Sequence, residues 1–163
     1  AIGRERALQK ALAPLAEAYD VILIDTPPSL GLLTINAMVA AQGVIVPVQC
    51  EYLSLRGLAQ LQVTLEQVRE HLNPEARIVG ILPTMYDGRT LHSREAVELM
   101  TQNFGDIVYP VRIGKTVRFA EAPVSGKSVI AYDPNGQAAR WYRQLGREVL
   151  ARELPGFVLA AAS

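Results

Sequence analysis

Apolar and polar positions along the chain fall into two alternating periods. Over residues 4–18 (RERALQKALAPLAEA), apolar residues stand at Ala7, Leu8, Ala11, Leu12, Leu15 and Ala18. That is the spacing of one helix face, and Pro14 is placed to kink or split it. VILID (21–25) breaks the period with a short continuous run rich in β-branched residues. Such runs suit strands covered on both faces, as in parallel sheets. GLLTINAMVAA (31–41) reads as a helix and VIVPV (44–48) as the next strand, with Pro47 inside it. From Ser54 to His71 a long helix is predicted, with Leu55, Leu58, Leu61, Leu65 and Val68 near a 3.6-residue period. Ser54 is its candidate N-cap and Asn73-Pro74 its stop.

IVGIL (78–82) is a third predicted strand, DGR (87–89) is turn chemistry, and residues 92–103 form a helix with Val97 and Met100 facing inward. IVYPVRI (107–113) is a fourth strand, and the stretch GKTVRFAEAPVSGKSV after it reads as irregular and basic. The last helix, 136–154, puts Ala138, Trp141, Tyr142, Leu145 and Val149 on one core stripe. The tail LPGFVLAAAS is apolar, uncapped and expected to fray. Strands alternating with helices predict an α/β fold: a mainly parallel sheet flanked by helices, with right-handed crossovers. No repeat, linker or second domain is visible, so residues 1–163 read as a single domain.

Half of the 163 residues are apolar, enough for a sizeable core. Sixteen basic and sixteen acidic residues cancel. Any contact with nucleic acid or membrane must then rest on a local patch. The single Cys50 excludes an internal disulfide framework and fits a reducing compartment. No apolar run is long enough to span a bilayer and no signal-peptide pattern opens the chain, so a cytoplasmic location is expected.

The chemistry begins at Asp25, which closes VILID before Thr26-Pro27-Pro28. Ligands of parallel α/β sheets gather beyond the carboxyl ends of the strands. A carboxylate there holds a hydrated magnesium ion beside nucleotide phosphates, or it simply caps the next helix, as Thr26 or Ser29 would. A phosphate cradle needs G-x-x-x-x-G-K-[ST]. Gly114-Lys115-Thr116 and Gly126-Lys127-Ser128 end correctly, but the first glycine position holds Tyr109 in one and Glu121 in the other. Both read as solvated basic loops, so the phosphate loop is not among these residues. Arg112, Lys115, Arg118 and Lys127, joined by Arg89 and Arg94 if the loops are neighbours, form either an ordinary solvated surface or a phosphate-neutralising patch. Glu51 reads as an interface carboxylate or a helix-start carboxylate helped by the dipole. Cys50 reads as a packed residue, and His71 and His92 have no metal-ligand spacing.

Four separated blocks carry a resemblance: YDVILIDTPPSLGLLTINAM, VIVPVQCEYLSLRGLAQL, GILPTMYDGRT and VRFAEAPVSGKSVIAYDPNG. Together they resemble the ParA/Soj chromosome- and plasmid-partitioning ATPases, deviant Walker A proteins related to MinD, over roughly residues 15–153. The resemblance implies a P-loop NTPase-like fold, here incomplete at the N-terminus because the K-G-G-x-G-K-T loop and the switch aspartate are not in the sequence. It implies ATP and Mg2+ as cofactors, a homodimer, non-specific DNA binding, a ParB-like partner that stimulates hydrolysis, and nucleoid association. Asp25 matches the Walker B aspartate, both catalytic and metal-directing. Thr84 and Met85 match a strand end near the adenine, and Arg89 and Arg118 match positions associated with DNA binding. Where the family usually reads I-P-R-N-V-R, this chain reads Ile113-Gly-Lys-Thr-Val-Arg118, which makes a stiff segment near the nucleotide more flexible. Pro83 stands where an aliphatic residue is expected. Two competitors remain. One is a MinD-like membrane-positioning ATPase, disfavoured by a C-terminal tail without basic residues. The other is a P-loop-less DNA-binding or dimerisation adapter. As it stands, the chain is expected not to hydrolyse ATP.

Overall fold

The computed structural model describes residues 3–51 and 54–156. The side chain of Leu55, part of the predicted stripe, and tail residues 157–163 lie outside the described part. The chain forms two compact units, Ala1–Val46 with Leu55–Val79, and Pro47–Ser54 with Gly80–Ser163.

In the first unit, Pro14 splits the predicted N-terminal helix as expected. A 3-10 turn (Arg4–Arg6), helix α1 (Ala7–Leu12) and a second 3-10 turn (Ala13–Leu15) follow one another. Helix α2 (Leu32–Ala40) is bound to this segment by the buried Asn36. Its amide donates to the carbonyls of Arg4 (2.9 Å) and Leu32 (3.0 Å), and its Oδ1 accepts from the Leu8 N–H (3.1 Å). Helix α3 spans Ser54–His71. Its Leu65 and Val68 pack with Met38, Val39 and Ala76 into the core of this unit, as the 3.6-residue period requires. Asn73 then closes the corner: its amide faces the carbonyls of Met38, Val39 and Ala41 at 3.0, 3.2 and 2.9 Å.

The strand expected over 21–25 is not formed. Residues 21–27 have no assigned secondary structure, Leu23 is 85% exposed, and Val21 and Ile22 are also exposed. The reason is one of pairing. A strand is stable only when its N–H and C=O groups meet a neighbour, and no described segment pairs with this one.

Strands β1 (Val44–Gln49) and β2 (Ile78–Thr84) do pair. The Val44 N–H donates to the Arg77 carbonyl and the Cys50 N–H to the Thr84 carbonyl, both at 2.9 Å. The register advances in one direction on both strands, so the pair is parallel.

In the second unit, the fourth strand expected over 107–113 is reduced to two isolated parallel bridges beside β2, Ile81 with Val108 and Tyr86 with Gly114. Tyr109 donates to Ile81 (2.8 Å), but the next bond to β2 runs from Ile113 to Pro83 (2.9 Å), two residues later than a regular ladder would place it. Pro83 has no N–H to give the Tyr109 carbonyl, so the ladder bulges there. Helix α4 (Leu91–Phe104) buries Val97 and Met100 as predicted. The stretch read as irregular contains a short helix, α5 (Arg118–Val124), and leads into another, α6 (Val129–Tyr132), which is capped by the Ser128 hydroxyl accepting from the Ala131 N–H. Helix α7 (Gln137–Glu153) buries Ala138 and half-buries Trp141. Tyr142, expected in the core, is 40% exposed and meets Phe119 edge-on at 5.9 Å.

Candidate functional site

Asp25 belongs to the first unit. It is exposed, and its carboxylate has no hydrogen bond or ion pair to any described residue. The capping reading therefore fails locally: α2 starts after Gly31 with no side-chain cap. The loop behind Asp25 is held instead by the buried Thr34, whose hydroxyl donates to the carbonyls of Ser29 (2.6 Å) and Pro27 (3.4 Å). Asp25 and Thr26 line a cleft of about 550 Å³, otherwise mainly apolar, with Ala37, Met38 and Val44 among its walls.

The other four candidates belong to the second unit. Thr84 ends β2, and its carbonyl is taken by the Cys50 N–H. Met85 follows with φ of +53°, the left-handed region, which a non-glycine residue enters at a cost. The chain turns sharply there, and the Tyr86 N–H reaches the Ile113 carbonyl at 3.0 Å.

Beyond that turn lies a cleft of about 560 Å³ lined by Tyr86, Asp87, Arg89, Arg112, Lys115 and Trp141, among others. Arg112 donates to the Tyr86 hydroxyl (3.0 Å) and lies over its ring at 4.9 Å. Lys115 is exposed and has no ion pair among the described residues. Gly114 is what lets this wall close. A Cβ there would sit 2.6 Å from the Trp141 ring, so the departure from the family's proline is matched by an indole occupying the space.

Both arginines are paired with carboxylates. Arg89 grips Asp87 with Nε (2.9 Å) and Nη2 (2.8 Å), its own side chain remaining 90% exposed. This guanidinium holds Asp87 well below the usual carboxylate range, and Asp87 raises Arg89 in return. Arg118 donates from Nη1 to Glu121 (2.7 Å), its Nε lies 3.4 Å from Asp133, and it faces the Tyr132 ring at 6.0 Å. Arg118 does not line the cleft that holds Arg89. The sequence reads Asp87 only as turn chemistry and Trp141 only as core, and gives Tyr86 no role. A carboxylate two residues before an arginine in D-G-R was the available signal for the first.

An AAA-domain family model matches residues 1–78. The chain is 49% identical over 150 residues to the chromosome-partitioning ATPase Soj of Thermus thermophilus, covering 92% of this chain and 59% of Soj. It is 45% identical over 153 residues to the chromosome partitioning protein ParA of Myxococcus xanthus, covering 94% of this chain and 54% of that protein. Over nearly its whole length the chain is similar in sequence to ParA/Soj family proteins. The chain spans about half the length of the curated relatives it matches. In structure it is similar to the cobyrinic acid a,c-diamide synthase of Mycobacterium smegmatis crystallised with an ATP analogue and magnesium. The TM-score is 0.78 at 37% identity, covering 96% of this chain and 58% of that one. The fold is thus that of the P-loop NTPase-like ParA/MinD group.

Against that family, the residues present fit one side of a nucleotide site. Magnesium is satisfied by one or two carboxylates with waters and phosphates filling the rest, and the exposed Asp25, without a partner among the described residues, is a carboxylate of that kind. The phosphate side is not met by these residues. Gly126-Lys127-Ser128 follows a helix rather than a strand and leads into the four-residue α6. Gly114-Lys115-Thr116 leads into the seven-residue α5 with no second glycine before it.

Proposed function

We propose that this chain is part of a ParA/Soj-type ATPase for DNA segregation, one that binds ATP with Mg2+, dimerises and binds DNA without sequence preference. A ParB-like partner stimulates its hydrolysis, and it works in the cytoplasm on the nucleoid. What carries the reading is the likeness to Soj over 92% of the chain, joined to an arginine, Arg89, presented at 90% exposure beside a basic cleft. No described helix is long and apolar enough to cross a membrane, which accords with this reading.

In the proposed division of labour, Asp25 orients the hydrated metal through water, and the metal neutralises charge on the transferring phosphoryl group. Thr84 and Met85 border the adenine. Arg89 and Arg118 neutralise DNA phosphates, and because net charge is zero, a monomer binds weakly and a dimer gains by avidity. The 163-residue chain has no phosphate loop and does not turn over ATP; turnover with magnesium would show that one of the two Gly-Lys stretches works as one.

Fluorescence anisotropy of a labelled random-sequence duplex over a salt series tests the DNA role. Arg89→Ala and Arg118→Ala should each weaken binding and reduce the slope of log K against log salt by about 0.9, the release from one phosphate. Equal affinity and slope in both variants and the parent would remove these residues from the site.

A further inference from the structure

We infer that Asp87 is a positioning residue for Arg89: it holds the guanidinium so that its free edge points outward for an anionic phosphate. The inference rests on the proposed role of Arg89 in DNA binding. A guanidinium has five N–H donors. Asp87 takes Nε–H and one Nη2–H. Two donors on Nη1 and one on Nη2 remain, and they form the second edge of the fork, the geometry that meets a phosphate with two parallel bonds. Arg89 is 90% exposed while Asp87 is only 28% exposed, so the carboxylate serves as the anchored half of the pair.

Asp87 is anchored by the turn it builds. Its Oδ1 also accepts from the Arg89 backbone N–H (3.0 Å), and its carbonyl accepts from the N–H of Thr90 (3.0 Å) and from the Thr90 hydroxyl (2.9 Å). Arg94 closes the turn from α4, donating to the Gly88 carbonyl at 2.9 Å. A free arginine carries large rotamer entropy, lost when it grips a ligand. Asp87 removes part of that freedom beforehand. The pair is surface-exposed, where ion pairs are weak, so the effect is modest and must be separated from plain charge.

Asp87→Asn makes the separation. It retains Oδ1 for the backbone N–H and leaves the Thr90 bonds on the carbonyl untouched, but it replaces the second acceptor with an NH2 group and so destroys the fork. Removing a negative charge near DNA favours binding wherever Arg89 points. The informative quantity is therefore a double-mutant cycle in the full chain, read by anisotropy on the same duplex. If Asp87 positions Arg89, the Asn substitution is about threefold less favourable with Arg89 present than in the Arg89→Ala background, the size expected of a well-formed exposed pair. Equal effects in the two backgrounds mean through-space charge alone, and a more favourable effect with Arg89 present means Asp87 restrains it; either overturns the inference.

A second readout needs no DNA. The 15N order parameter of Arg89 Nε should fall in Asp87→Asn, and an unchanged value also overturns the inference. Should Arg89→Ala by itself leave duplex affinity unaltered, the DNA role of Arg89 fails, while the order parameter still decides whether Asp87 orders it.

Discussion

Replacing Gly80 by alanine asks how tightly β2 is held against the segment that runs beside it. A Cβ at Gly80 would lie well inside contact distance of Cε2 and Cζ of Tyr109. Carbon atoms rest about 3.5–4.0 Å apart, so the ring would have to retreat by more than about 1 Å. It has little room. Tyr109 is 1% exposed, and the Arg152 guanidinium lies over its ring at 4.6 Å. Overpacking of this kind costs about 1–3 kcal/mol when neighbours absorb it. If the ring swings out instead, it forfeits its burial. A tyrosine burying ~200 Å² at about 25 cal/mol per Å² sets that ceiling near 5 kcal/mol. The expected loss is about 3 kcal/mol, read as a lower midpoint in urea denaturation at constant slope and as a Tm lower by about 6–12 °C. Gly146→Ala in α7 is the control. Nothing lies within 4 Å of a Cβ there, and the change should stabilise by about 0.5–1 kcal/mol through helix propensity alone. A loss below about 0.5 kcal/mol at Gly80 would mean that the Tyr109 segment is loosely packed on β2, and the account of that segment would be wrong.

Tyr109→Phe should be neutral or stabilising by about 1 kcal/mol, because the buried hydroxyl has no hydrogen-bond partner among the described residues and only its desolvation is recovered; a loss of 1 kcal/mol or more in the same urea assay would contradict this. Burial pushes the Cys50 thiol up to about 11, with Arg112 opposing, so the native thiol should resist disulfide reagents at pH 8 and react only on unfolding. The sign of its pH linkage follows. Between the ordinary thiol value near 9 and about 11, the unfolded chain has lost the proton that the folded chain keeps, so stability falls as pH rises through that window. Cys50→Ala should flatten that part of the stability curve, and identical slopes for the two proteins would contradict it.

What the sequence made legible, and what it hid, divides along the range of the interactions concerned. The bounds of α3 agree with the pattern because a 3.6-residue period over eighteen residues is a local property. The split at Pro14 is local too. VILID shows the opposite case. Its composition states a preference for being a strand, but strand formation is a property of pairs, and without a described partner its apolar side chains stand exposed. Residues 107–113 lie between these. They do run beside β2, yet Pro83 removes a donor a regular ladder needs, and it sits on the other strand, where a reading of 107–113 alone does not see it. Helix α5 was hidden for a compositional reason, since its seven residues include Pro123 and sit among basic turn formers.

The same division orders the candidate site. Asp25, Thr84, Met85, Arg89 and Arg118 were selected as single residues in blocks, and the structure adds to each an environment that the blocks do not encode. For Asp25 it is the absence of any competing partner among the described residues, which leaves the carboxylate free for a cation. For Met85 it is a backbone in the left-handed region, which swings the chain into the Tyr86–Arg89 turn. For the two arginines it is acidic partners: one carboxylate for Arg89 and two for Arg118. A sum of formal charges counts those pairs as neutral or negative and would dismiss both as phosphate ligands. For Arg89 geometry points the other way, because its guanidinium, gripped on one edge by Asp87, retains donors on the other, and a fixed donor loses less freedom on meeting a phosphate than a free one. Whether charge or order dominates is decided by the sign of the coupling between Asp87 and Arg89. That sign can be measured on this chain without nucleotide, partner or hydrolysis.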